Sequence, residues 1–145
     1  MFLITTKELQ LFGFYAKMNR PLLNEVNAML AEYRLFNSQW TILKLLLQEG
    51  ASTPAEIAAR QQVEKPSVTK ILQRLVELQY VEVRPGEDRR EKWMRLTDKG
   101  TAVCNEIMGK LHTFYAGLLE NVEENEIDVA ISVLERIYEN LKMKE

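Results

Sequence analysis

Apolar residues recur at helical spacing from Thr5 to about Arg34, where Leu9, Phe12, Tyr15, Leu22, Val26, Met29, Leu30 and Tyr33 fall near one stripe. Pro21 interrupts this segment; a proline removes one backbone donor and crowds the preceding turn, so a kink or break is expected there, with Asn19 able to cap the second piece. A second helix follows Asn37 and Ser38, carries Trp40, Leu43, Leu46 and Leu47, and stops at Gly50, a residue suited to a left-handed exit. Thr53-Pro54-Ala55-Glu56 reads as a capping box with proline at the first helical position, so a short helix starts at Pro54 and ends near Arg60. After Gln61-Gln62-Val63 another helix opens with Pro66 in its first turn. Val68, Ile71, Leu72, Leu75 and Leu78 form its apolar face, and Lys65, Ser67, Thr69, Lys70, Gln73, Arg74 and Glu77 its polar one.

The pattern then changes period. Val81 to Arg84 and Lys92 to Leu96 suit two strands joined by a charged loop containing Pro85 and Gly86, a hairpin. Thr97 caps a long helix running to about Glu120, striped by Val103, Cys104, Ile107, Met108, Leu111, Phe114, Tyr115 and Leu118. A last helix from about Glu123 aligns Ile127, Ala130, Ile131, Leu134, Ile137, Tyr138 and Leu141. The fold class that follows is mainly α with one small β-hairpin.

A short capped helix, a turn of about four residues, and a second helix apolar behind and hydroxyl-plus-basic in front form the pattern of a helix-turn-helix. Such a helix fits the major groove of B-form DNA only when supporting helices bury its back and leave its front to meet base edges and phosphates. The arginine-bearing hairpin downstream is then a wing reaching phosphates or a minor groove beside it.

Charge modifies this picture. The 145-residue chain has a net charge of −2, but from Glu64 to Arg95 eight Lys/Arg stand against six Asp/Glu, a local +2 that leaves −4 for the rest. The length fits one domain with a sizeable core. One cysteine excludes an internal disulfide, and no Cys/His cluster, phosphate loop or nucleophile constellation points to a metal, a cofactor or an enzyme. No signal peptide or membrane-spanning run stands out, so a cytoplasmic protein is expected.

Three stretches in order, "FNSQWTILKLLLQEG", "TPAEIAARQQVEKPSVTKILQRLVELQYVEV" and "DRREKWMRLTDKG", resemble the multiple-antibiotic-resistance regulator (MarR) family of winged-helix transcription factors. The most specific piece is the last, through Asp88, Arg90, Leu96, Thr97 and Gly100. The resemblance implies a homodimer with dimerisation helices from 1–36 and 97–145 and a winged helix-turn-helix lobe at 37–96. It implies a recognition helix at about Lys65 to Gln79, with Lys65, Pro66, Ser67, Thr69 and Lys70 at DNA and Arg74 near phosphate. In the wing, Arg89 and Arg90 would meet DNA and Asp88 would hold Arg90 by a charge-assisted bond. Glu64, where a Ser or Asp cap is commoner, departs from the family pattern. The implied partners are a pseudo-palindromic duplex and, for regulation, a small-molecule inducer; repression is the expected outcome. The alternative, which Glu64, Glu87 and Glu91 support, is a winged-helix module that binds protein instead of DNA.

The remaining candidates read as structural. Cys104 lies on an apolar stripe and reads as a small buried hydrophobe, and His112 has no second ligand nearby in sequence. Trp40, Tyr15 and Phe14 read as core, and Arg95 as the partner of a carboxylate or a phosphate.

Overall fold

The computed structural model describes residues 6–88 and 90–144. Its elements are α1 (Lys7–Leu30), a 3-10 turn (Ala31–Tyr33), α2 (Asn37–Glu49), α3 (Pro54–Gln61), α4 (Lys65–Glu77), β1 (Val81–Pro85), β2 (Lys92–Leu96), α5 (Asp98–Leu118) and α6 (Glu124–Lys142). The chain divides into two compact units, one ending at Leu111 and the other starting at His112.

In the first unit, Thr6 starts α1 by accepting the Leu9 N–H on its Oγ1 at 3.2 Å. Thr5, the expected start, lies outside the described residues. The expected break at Pro21 does not occur, and α1 runs through it to Leu30. Pro21 lies on an exposed side of the helix, where the carbonyl left without its donor, that of Lys17, can take one from water. The helix gives way instead at Ala31, and Arg34, in the left-handed region at φ 64°, turns the chain into α2. Gln39 Oε1 accepts from the Phe36 N–H at 2.9 Å to start α2, and Gly50 ends it at φ 82° as its sequence position suggests.

Leu30, Leu35, Leu43, Ile57, Val68, Leu75, Val81, Cys104 and Ile107 are the most deeply buried side chains, joined in the core by Trp40, Ile42, Leu72, Tyr80 and Met94. Each such aliphatic side chain contributes about 1.5–3 kcal/mol relative to leaving it in water. The core therefore draws on α1, α2, α3, α4, the hairpin and α5. Phe14 and Tyr15 do not join it: both are exposed, as is all of Lys7 to Pro21. Their stripe lies on the exposed part of α1.

The two strands pair antiparallel with Val81 opposite Leu96 and Pro85 opposite Lys92. Ser52, buried just before α3, adds a single bridge to Met94, with N–H to carbonyl bonds of 3.0 and 2.9 Å in the two directions. The middle of the hairpin, where Met94 pairs with Val83, is thus tied to the segment just before α3.

In the second unit, Glu126 Oε1 accepts from the Glu123 N–H at 2.9 Å to start α6. Val129, Ile131, Leu134, Tyr138 and Leu141 are all exposed along it.

Candidate nucleic-acid interface

The front of α4 follows from how the helix is seated. Thr53 caps α3 by accepting the Glu56 N–H on Oγ1 at 3.2 Å, the one half of the expected capping box that forms among the described residues. Gln62, left-handed at φ 54°, closes α3 and turns the chain into α4. Pro66 falls in the first turn of α4, where a missing N–H costs nothing. Glu64 stands at the cap without a side-chain capping bond, in keeping with its longer acid. Val68, Leu72 and Leu75 are buried, so the 3.6-residue period turns Lys65, Ser67, Thr69, Lys70, Gln73 and Arg74 outward, all exposed. The helix ends at Glu77, two residues before the expected Gln79, because Gln79 adopts φ 66° and turns the chain into β1.

The wing loop is organised by Asp88. Its Oδ1 accepts from the Arg90 backbone N–H at 3.0 Å, and its carbonyl accepts from the Glu91 N–H at 2.9 Å. The carboxylate fixes the backbone that carries Arg90 and leaves the guanidinium exposed. Arg89 lies outside the described residues. Gly86, whose N–H bonds the Glu91 carbonyl at 3.0 Å, sits where a Cβ would press on the Glu91 and Trp93 side chains.

These pieces converge. Lys65 and Thr69 from α4, Thr53, Pro54 and Ala55 from the start of α3, and Arg90, Glu91 and Lys92 from the wing line one open groove of about 450 Å³. Lys65, Thr69 and Arg90 are therefore brought together, and Pro66 and Lys70 share a shallow neighbouring surface with Gln73. Arg74 lies further along the helix and pairs with Glu77 at 3.3 Å, an exposed contact it would have to give up to meet a phosphate. Lys92 was not singled out in sequence, although the strand period announces it. Two residues before buried Met94, it lies on the face of the hairpin that looks toward α4.

On the opposite face of the hairpin Glu82 receives Arg95 at 2.6 Å, directly across the ladder, and Arg84 at 3.4 Å. The Arg95 bond holds the Glu82 carboxyl below its ordinary range. Arg95 thus has a carboxylate partner.

Cys104 is buried on α5, and burial pushes its thiol up to about 11. Since the thiolate is the reactive species, Cys104 is expected to resist an aromatic disulfide reagent at neutral pH in the folded protein and to react once urea is added. Rapid labelling without urea would contradict its burial. His112 is exposed, and no group of three or more His, Cys, Asp or Glu able to hold a metal occurs among the described residues. No described helix is long and apolar enough to cross a membrane.

A family model described as "MarR family" matches residues 36–91. The chain is 34% identical over 119 residues to the uncharacterized HTH-type transcriptional regulator YwoH of Bacillus subtilis, covering 82% of this chain and 86% of that protein. It is 28% identical over 137 residues to an uncharacterized HTH-type transcriptional regulator of Staphylococcus aureus, covering 91% of this chain and 92% of that one. Among solved structures it resembles Staphylococcus aureus MarR in complex with salicylate and kanamycin, with a TM-score of 0.88, 25% identity, and 95% and 94% of the two chains covered. It also resembles an Escherichia coli MarR mutant complexed with operator DNA, with a TM-score of 0.77, 22% identity, and 90% and 95% covered.

Proposed function

Because this chain belongs to the MarR family of winged-helix transcriptional regulators, we propose that it binds a pseudo-palindromic operator as a homodimer and represses a nearby promoter in the cytoplasm. The observation that carries this reading is the exposed hydroxyl-and-lysine front of α4 sharing a groove with Arg90 of the wing. Thr69, Ser67 and Lys70 offer donors and acceptors to base edges, while Lys65, Arg74, Arg90 and Lys92 supply the phosphate contacts that give salt-sensitive affinity. Arg89 adjoins Arg90 in sequence and is proposed as a further phosphate contact.

The dimer reading is supported by the uncovered apolar stripes of α1 and α6. Phe12, Phe14, Tyr15 and Met18 on one, and Ile131, Leu134, Tyr138 and Leu141 on the other, are too extensive a set to leave in water. A two-fold pair buries them and presents two copies of α4 about 10–10.5 base pairs apart, one turn of the duplex. Repression follows from occupying a promoter, which blocks polymerase sterically. The Staphylococcus aureus relative was solved with salicylate and kanamycin, which supports release by a small molecule. Such an inducer acts by binding a lobe spacing that no longer matches the grooves, and its effect is limited by its differential affinity for the two spacings.

Lys70→Ala and Arg90→Ala are each expected to weaken binding to the region upstream of the protein's own gene by about tenfold in a mobility-shift assay. If neither does, the assignment of helix and wing is wrong. The second reading, a module that binds protein, is favoured by exposed Glu64, Glu87 and Glu91 beside these contacts. Repeating the assay across salt separates the two, because affinity for DNA falls steeply with ionic strength.

A further inference from the structure

Where α4 ends, three successive backbone carbonyls each accept a bond from the start of α5. Leu78 O takes Lys99 Nζ at 3.3 Å, Gln79 O takes the Thr97 hydroxyl at 2.6 Å, and Tyr80 O takes the Thr97 N–H at 3.0 Å. Lys99 also lies 5.4 Å from the centre of the Tyr80 ring. Its ammonium stands where the unpaired carbonyls of a helix end gather negative partial charge.

Tyr80 reaches further than the rest of this latch. Its ring is buried, and its hydroxyl donates to the Tyr33 carbonyl at 2.8 Å, across 47 residues of sequence. Burial raises the Tyr80 pKa, so the donated proton is in place at neutral pH. Tyr33 closes the 3-10 turn that directly follows α1. That turn is gripped a second time by α5, since Lys110 bonds Glu32 at 2.6 Å and lies 5.0 Å over the Tyr33 ring.

We propose that Tyr80 is a positioning residue for DNA reading, its hydroxyl fixing the angle at which α4 is offered relative to the end of α1. This rests on the reading of α4 as the recognition helix. The lever is long: thirteen residues of helix span roughly 20 Å, so a tilt of about 3° at the C-terminal end moves the N-terminal Lys65 and Ser67 by about 1 Å. Hydrogen bonds to base edges tolerate only a few tenths of that. Tyr80 itself is buried, so its influence passes through the direction of the helix axis.

The test uses the full chain and the duplex that the wild-type protein enriches from a randomised library. Affinities of wild type, Tyr80→Phe and Lys99→Met are measured on that duplex, on versions with the half-sites one base pair closer or further apart, and on a scrambled duplex. Tyr80→Phe keeps the ring in the core, so its melting temperature should stay within a few degrees of wild type. Its preference for the selected spacing over the altered ones should fall about three- to tenfold, the range one neutral hydrogen bond carries. Affinity for the scrambled duplex should not change, and Lys99→Met should shift the preference in the same direction. Unchanged spacing preference in both variants, or an equal loss on selected and scrambled duplexes, overturns the proposal. If the wild type enriches no duplex, the reading of α4 fails first and the role of Tyr80 falls with it.

Discussion

Replacing Leu134 by glutamate is expected to convert the protein to monomers and to abolish operator binding. In the single chain Leu134 is 59% exposed, so a carboxylate there costs α6 almost nothing. Across the proposed two-fold interface the same carboxylate would be buried without a partner, once from each protomer, and an uncompensated buried charge costs about 3–5 kcal/mol. The dimer dissociation constant should therefore rise at least about a thousandfold. A monomer holds one recognition helix and loses the second half-site together with the gain from linking them. Sedimentation velocity at micromolar protein checks the first outcome and a mobility shift the second. Circular dichroism should show unchanged helix content. A Leu134→Glu protein that remains dimeric would remove α6 from the interface.

The second large effect runs against helix propensity. Glycine inside a helix is normally worse than alanine by about 1 kcal/mol, so Gly100→Ala in the first turn of α5 would ordinarily stabilise. Here an added Cβ would run into the Tyr80 carbonyl oxygen, a backbone atom with no rotamer to relieve the clash. The helix start must back away, and with it go the Gly100 N–H bond to Thr97 Oγ1 at 2.9 Å and the Thr97 bond to Gln79 O at 2.6 Å. Overpacking of this kind costs about 1–3 kcal/mol, and each lost hydrogen bond about 1 kcal/mol more. At about 2–4 °C per kcal/mol for a chain near this size, the melting temperature should drop by roughly 6–20 °C. Gly109→Ala is the internal control. It lies in the same helix with open space where its Cβ would go, so it should leave the melting temperature unchanged or raise it. Equal behaviour of the two variants would mean that α5 does not approach Tyr80 so closely.

The parts of the fold and interface that were legible in sequence are those fixed by local chemistry. The front of α4 could be read because burial of Val68, Leu72 and Leu75 determines, through the helical period, that Thr69, Lys70 and Gln73 face outward. Thr53 and Thr97 could be read as helix starts because each hydroxyl serves a backbone donor three residues on. The features that escaped depend on what surrounds a residue. Pro21 would break an isolated helix, but core contacts at Val26 and Leu30 and an exposed proline keep α1 whole. Phe14 and Tyr15 look like core by composition, and only the folded structure shows that both lie exposed on α1. The Glu82 to Arg95 pair depends on strand register, which a loop of uncertain length leaves open. Lys92 differs, since the strand period alone sets its side of the hairpin once Met94 is buried.

The pair of bonds between Ser52 and Met94 ties the middle of the hairpin to the segment before α3, whereas Asp88 accepts from the Arg90 and Glu91 N–H groups within the wing itself. The brace stops short of the loop, so the backbone that carries Arg90 is set by bonds within the wing. Operators recognised by this protein should consequently be strict in the bases under the helix and permissive in the flanks under the arginine, where shape and bendability replace letters.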